Sequence, residues 1–362
     1  SSIQRVYTES LARYQHLLAQ TQELLSSAQH ALIQQTTEQT YTIFNALSWE
    51  RSTWLKIDQQ WRYVTVPSMG YTTLDLNLPA TRIEEVRLTA SGERLENDIL
   101  RVEFAADGSI QGIWDKEYQR EVLKPEMPAN RLAVYDDDGD AWDFSYAYRE
   151  RRPQHFVLET ASAQIDGPQA IIEQQYRCGN STLRQRIVLT RGNRRIDFIT
   201  HVDWREQHKM LRTSFPLAVA ATEATCDIQF GSIKRPTHRN TSWDMARNEI
   251  CAHKWIDISQ WEYGVALLND CKYGHYVTES LLDLNLLRSP THPGLDADQA
   301  EHDFTYALFP HAGNHIQGDV IRAGYELNVP VSVVAGTATA DSERSLAFAR
   351  IAAENVVLET IK

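Results

Sequence analysis

The stretch Thr182-Leu183-Arg184-Gln185-Arg186-Ile187-Val188-Leu189, followed by Arg191-Gly192-Asn193-Arg194 and then Ile196-Asp197-Phe198-Ile199-Thr200-His201-Val202-Asp203-Trp204, decides the fold. Both arms carry β-branched and aromatic residues, and the Gly192-Asn193 pair supplies the positive φ that a hairpin turn requires. Working outward, runs of the same kind stand at 226–230, 264–268, 282–287 and 304–309. From Leu95 onward short strand patterns alternate with turn residues, without the long intervening helices that a parallel sheet needs. So many antiparallel strands in about 240 residues predict a mainly β protein built as a large two-sheet sandwich.

Upstream the period changes. Ile3, Val6, Tyr7, Leu11, Tyr14, Leu17, Leu18, Leu24, Leu25, Ala28 and Leu32 recur at helical spacing, so 3–33 reads as one long amphipathic helix. Alone it would leave its apolar stripe in water, so it is expected to belong to a bundle whose other members lie elsewhere. Tyr41-Thr42-Ile43-Phe44, 52–57, 61–66 and 72–76 then alternate with a period near two, with Pro67-Ser68-Met69-Gly70 as a turn. The expected organisation is a helical segment at 1–37, a small β-unit at 38–88, a large sandwich at 89–330, and the start of a further β segment at 331–362. The strand pattern of 355–362 runs to the last residue and suggests a truncated end.

Composition bounds the partners. The chain has 362 residues, a formal charge of -12 and no dense Lys/Arg stripe, which excludes nucleic-acid binding as a main function because that needs clustered positive charge. No window approaches about 18 uninterrupted apolar residues, and Ser1-Ser2-Ile3-Gln4-Arg5 lacks the apolar stretch of a secretion signal, so no membrane partner is expected. Cys178, Cys226, Cys251 and Cys271 are widely spaced without a Cys-x-x-Cys pair. Reduced, inert thiols in the cytoplasm are the simplest reading.

Three places carry enough chemistry to be candidate sites. The first is Tyr135-Asp136-Asp137-Asp138-Gly139-Asp140-Ala141-Trp142-Asp143, where Asp140, Trp142 and Asp143 offer acid and indole groups suited to sugar hydroxyls and an apolar sugar face. Its plain alternative is a solvated acidic turn. A calcium loop is excluded, because Gly139 falls too early and no bidentate Glu follows at the required place. The second is the polar loop 233–244, in which Arg235, His238, Arg239, Asn240 and Asp244 surround a proline-fixed turn. Ordinary loop hydrogen bonding is its alternative. The third is His302, His311 and His315, with His253 and His275 earlier; His311 and His315 stand four apart, but Gly313 weakens the helix that would align them on a metal. Serine-hydrolase, P-loop and dinucleotide motifs do not occur.

Several segments together resemble glycoside hydrolase family 38, especially its bacterial and cytosolic type. They are Phe44-Asn45-Ala46-Leu47-Ser48-Trp49-Glu50-Arg51, Leu95-Glu96-Asn97 with Asp107-Gly108-Ser109-Ile110, Ala141-Trp142-Asp143, 204–211 with Phe215-Pro216, 231–255, 263–274, Leu287-Arg288-Ser289-Pro290 and Phe309-Pro310-His311-Ala312-Gly313. The resemblance implies a galactose-mutarotase-like super-sandwich for the bulk of the chain and a leftover bundle helix before it. It also implies a retaining α-mannosidase in which an aspartate attacks the sugar while a divalent metal, usually zinc, holds its hydroxyls. Ser1-Ser2-Ile3 resembles the end of the family's His-Asp-x-x-Pro-Gly-Ser-Ser-Ile motif. By that resemblance the catalytic residues and metal ligands lie upstream of Ser1, in an amino-terminal domain, and neither catalytic residues nor a metal or cofactor site is expected in this chain. The expected partners are that catalytic domain and a mannosyl oligosaccharide, with homo-oligomer contacts left open. The fragment is expected to be inactive alone and to supply scaffold and pocket rim through Asp140, Trp142, Asp143, Arg235, His238, Arg239, Asn240 and Asp244. The rivals are a free-standing carbohydrate-binding module and a mutarotase-like enzyme.

Overall fold

The computed structural model describes residues 2–36, 39–79, 87–339 and 344–361. The chain forms two compact units, Ser1–Glu84 with Val329–Lys362, and Glu85–Asn328. The expected boundary at 37/38 lies outside the described residues.

In the first unit the amphipathic spacing gives one helix, Ser2–Ala31. Among the described residues its apolar stripe meets no partner: Leu11, Tyr14, Leu18 and Leu24 are each more than 60% exposed. After it, Thr40–Asn45 and Gly70–Asp75 form the centre of a four-stranded antiparallel sheet, bordered by Ser332–Ala335 and Ser345–Ala347. Arg51–Ile57 and Gln60–Val66 form a hairpin, and Ile43, Val64 and Val66 make a small core. The final strand pattern is not realised: 355–361 is without strand, with Val356 and Ile361 exposed. It pairs with no strand among the described residues, and its β-branched residues alone do not make it one. Lys362 lies outside the described residues.

The second unit is the predicted sandwich. Nine antiparallel strands run in the order Val157–Asp166, Gln169–Cys178, Ser181–Thr190, Ile196–Asp203, Glu301–Ala312, Tyr263–Asn269, Trp255–Ser259, Glu223–Ile228 and Gly231–Pro236. A six-stranded sheet is ordered Gln154–His155, Ala133–Asp136, Lys209–Pro216, Leu281–Arg288, Gly274–Thr278 and Ile250–Cys251. A five-stranded meander over 89–121 completes the unit. The deciding hairpin falls where expected, with Thr182 opposite Asp203 and Leu189 opposite Ile196, and Gly192 at φ +71° makes its turn. One continuous core joins the three sheets through residues such as Leu95, Ile110, Ile187, Phe198, Trp204, Phe215 and Tyr306.

Asn97 fastens the meander to that hairpin. Its side-chain oxygen accepts from the Ile99 and Leu100 amides, while its amide nitrogen donates to the Thr190 and Asn193 carbonyls, and the residue is fully buried. All four bonds replace water that burial removes.

The four cysteines are unpaired, Cys178 and Cys226 buried but Cys251 and Cys271 exposed, so burial covers only half of them. Among the described residues no helix is long and apolar enough to cross a membrane.

Candidate functional site

Strand alternation in the six-stranded sheet turns Leu282 and Leu284 to the core and Asp283 to the opposite face, where Ser214 is its cross-strand partner and Arg212 its neighbour. The excursion 137–153, which leaves the strand Ala133–Asp136 and returns at Gln154, crosses this face and covers it. Its 3₁₀ turn, Tyr146–Glu150, is started by Ser145, whose hydroxyl accepts from the Ala147 amide. That turn sets Tyr148 and Arg149 over Arg212.

The result is a buried cluster of four charges. Arg212 Nε donates to Asp283 Oδ1 at 2.5 Å and Nη2 to Glu249 Oε2 at 3.0 Å. Arg149 Nη2 lies 3.0 Å from Asp283 Oδ1, and the Tyr148 hydroxyl donates to Glu249 Oε1 at 2.8 Å. Arg212 is fully buried and Tyr148 is 2% exposed. Burial acts against the Arg212 charge, but Asp283 and Glu249 outweigh it and hold the guanidinium above its usual value. Burial also pushes the Glu249 carboxyl up, against the opposing pull of Arg212, Tyr148 and Arg149. Two cations and two carboxylates balance, so the cluster braces the site and offers no spare charge for catalysis.

Beside it the turn that follows the first candidate loop meets the second candidate segment. The Arg149 guanidinium lies 3.5 Å from the centroid of the Tyr276 ring and that of Arg239 lies 4.6 Å from the same centroid. Arg239 also donates to Asn248 Oδ1. The meeting runs through Arg149, beyond the first candidate loop, and Arg239 in the second, and not through the acids of 135–143.

Those acids hold the loop itself. Asp140 Oδ1 accepts from the Trp142 and Asp143 amides, and these two bonds keep its carboxyl below the usual range. Asp143 Oδ1 accepts from the Phe144 amide. Arg288, paired with Asp137 at 2.7 Å, donates to the Asp140 and Asp143 carbonyls and lies over the Phe144 ring. Trp142 remains 74% exposed, with its ring centroid 5.9 Å from that of His292.

In the second segment the expected single loop is part strand and part helix. Arg235 stands in the edge strand Gly231–Pro236 and reaches the Cys251 carbonyl at 3.4 Å. Ser242–Ala246 is a short helix whose capping box joins Thr241 and Asp244 in both directions. The Asp244 carboxylate also meets Arg247 and, at 3.4 Å, His238. Asp244 is thus a cap rather than a free ligand, while Asn240 and Trp243 face solvent.

The Thr241 side chain above all holds the Asp244 carboxyl below its ordinary range. A depressed folded value means that the cap is fully formed above about pH 4 and is lost as the pH falls through that lower value. Asp244→Ala is therefore expected to speed hydrogen exchange at the Thr241 and Asp244 amides while leaving the global unfolding midpoint nearly unchanged. Unaltered exchange at both amides would count against the cap.

His311 and His315 do not converge. His311 Nε2 lies 2.8 Å from Asp257 Oδ1 in the core, whereas His315 stacks on Trp255 at 5.4 Å. His275 is fully buried without a hydrogen-bond partner, and burial pushes it down to about 3. Among the described residues no group of three or more His, Cys, Asp or Glu side chains is arranged to hold a metal ion. The described residues thus do not fit a divalent metal.

Arg149, Arg212, Glu249, Asp283 and Tyr276 were not singled out from sequence. The one local sign is Arg212 itself, a cation inside the apolar strand Met210-Leu211-Arg212-Thr213.

A family model described as the glycosyl hydrolases family 38 C-terminal domain matches residues 95–296. Alpha-mannosidase 2C1 of Homo sapiens is 37% identical over 100% of this chain and 36% of its own length. Alpha-mannosidase G of Dictyostelium discoideum is 36% identical over 73% of this chain and 26% of its own. The chain thus spans between about a fifth and a third of the length of the curated relatives it matches. Among solved structures, an alpha-mannosidase from Enterococcus faecalis V583 superposes with a TM-score of 0.62 at 13% identity, covering 84% of this chain and 41% of that one. That likeness concerns the fold alone.

Proposed function

The chain belongs to glycosyl hydrolase family 38, as its carboxy-terminal β domain, and from that premise we propose that it serves as scaffold and pocket rim in a larger α-mannosidase. In this reading the whole protein removes terminal α-linked mannose from oligosaccharides with retention of configuration. A divalent metal such as zinc, and the carboxylates that do the chemistry, belong to a partner catalytic domain outside these residues. Where it binds, such a metal orients sugar hydroxyls and polarises them. The unpaired cysteines and acidic composition support a cytoplasmic setting.

The observation that carries the rim assignment is the meeting of the segments 144–150 and 235–249 at Tyr276. It leaves Arg239 as an exposed donor, with the exposed indoles of Trp142, seven residues before Arg149, and Trp243, four residues after Arg239. Guanidinium donors suit sugar hydroxyls, and indole faces suit the apolar side of a pyranose. Arg235, His238, Asn240 and Asp244 support that rim from the strand edge and the cap, as Asp140 and Asp143 do from the first loop.

In the whole protein, Trp142→Ala and Arg239→Ala are each expected to raise KM for an α-mannoside roughly 2- to 10-fold, with a smaller change in kcat. The 362-residue chain alone is expected to show no turnover. Unchanged kinetics in both variants would remove the rim assignment, and turnover by the chain alone would remove the scaffold reading.

A further inference from the structure

A cleft of about 440 Å³ opens in the second unit where the chain leaves the six-stranded sheet at Gln154–His155 and enters the nine-stranded sheet at Val157. That size falls within the range of about 300–1,000 Å³ typical of small-molecule sites. It shares no lining residue with the rim described above.

The floor of the cleft is rigid and satisfied. Tyr176 donates to Gln174 Oε1, Gln174 donates to the Gly108 carbonyl, and Asn130 donates to Gln185 while accepting from Tyr306 and Thr213. Its mouth is the opposite. The Arg131 side chain makes only a long contact, 3.9 Å, to Asp107 Oδ2, and the His155 imidazole makes no hydrogen bond among the described residues. Asp107 Oδ1 accepts from the Ser109 amide and hydroxyl, which leaves Oδ2 turned to Arg131. Burial, and after it the Arg131 charge, hold His155 below its ordinary value, so it is neutral near pH 7 and offers one donor and one acceptor. Leu132, Phe156, Val157 and Leu158 supply an apolar wall, and Val157 is 66% exposed.

A ligand for this cleft must satisfy one carboxylate, one guanidinium and one neutral imidazole while lying against aliphatic carbon. The lining carries one negative and one positive charge, so a neutral molecule with closely spaced hydroxyls matches it better than an anion or a cation does. We propose that the cleft between Asp107, Arg131, His155 and the Val157 wall is a non-catalytic binding site for a pyranose sugar. Vicinal hydroxyls bridge Asp107 and Arg131, a third meets His155, and the carbon face of the ring lies on Val157 and Leu158. The proposal stands on this cleft alone and does not depend on the rim reading.

Titration calorimetry of the chain at neutral pH, with methyl α-D-mannopyranoside and methyl α-D-glucopyranoside at millimolar concentrations, tests it. Saturable binding of at least one glycoside is expected, weakened about tenfold or more by Asp107→Asn and by Arg131→Gln, since each removes a charge-assisted hydrogen bond. Val157→Trp keeps every polar group, fills the cleft from an exposed edge position, and should also abolish binding; it decides the question if the polar variants fold poorly. Trp142→Ala should leave this binding unchanged. Absence of binding by both glycosides overturns the proposal, as does binding that survives Val157→Trp or is lost with Trp142→Ala. Arg152 adds positive field from outside the lining, so inorganic phosphate is the third probe. Phosphate binding that displaces the glycosides overturns the neutral-ligand assignment.

Discussion

Arg212→Met is expected to lower the stability of the 85–328 unit by about 3–5 kcal/mol, the usual cost of breaking a buried ion pair from one side. The methionine fills much of the same space, so the loss comes from electrostatics and not from a cavity. Asp283, with 3% of its side chain exposed, would keep only Arg149, and Glu249 would lose its shortest cationic contact. A domain of ordinary stability holds about 5–15 kcal/mol, so the variant sits near the limit of folding at physiological temperature. The double variant Arg212→Met with Asp283→Leu is expected to be more stable than Arg212→Met alone, because it leaves Arg149 and Glu249 as a balanced pair. Urea denaturation checks both. A loss under about 1 kcal/mol for Arg212→Met would mean that water reaches the cluster and that the cover formed by Tyr148 is loose.

Gly264→Ala is expected to cost a similar amount, about 3–5 kcal/mol, by displacing a histidine. A Cβ at Gly264 would lie 2.4 Å from His311 Cε1 and 2.6 Å from Ser259 Oγ. The imidazole has no room to retreat, since Gly318 closes on its other side. Moving it breaks the 2.8 Å contact to Asp257, a carboxylate that is 1% exposed and otherwise held by the Ser259 hydroxyl. Gly92→Ala is the control: nothing lies within 4 Å of its added carbon, and its change should stay within about 0.5 kcal/mol. Thermal or urea unfolding of the two variants side by side gives the comparison. Equal midpoints would show that the pocket around His311 yields more easily than its glycine walls suggest.

The features legible in sequence are those written locally. The hairpin at Ser181–Thr190 and Ile196–Asp203 follows from two β-branched arms and a Gly-Asn turn, and the helix Ser2–Ala31 follows from apolar spacing. Asp244 was legible too, though differently from the reading given to it: Thr241-Ser242-Trp243-Asp244 has the spacing of a capping box, which assigns the acid to a helix start before any ligand. The cluster at Arg212 was not legible. In an alternating strand, Asp283 between two leucines reads as a solvent-facing acid, and only the crossing of the 137–153 excursion makes that face an interior. Arg149 and Glu249 reach it from segments 63 and 37 residues distant from Arg212, a convergence that no local pattern encodes. The strand pattern of 355–361 fails for the complementary reason, because a strand is completed by its neighbour.

Asn97 adds a temporal dimension to this architecture. Two of its bonds close within three residues, to Ile99 and Leu100, whereas the other two span 93 and 96 residues, to Thr190 and Asn193. Loop closure over so long a stretch is entropically costly and slow, while a local turn forms quickly. One side chain is therefore expected to act at two moments of assembly, shaping the start of the meander early and latching it to the hairpin only after that hairpin exists.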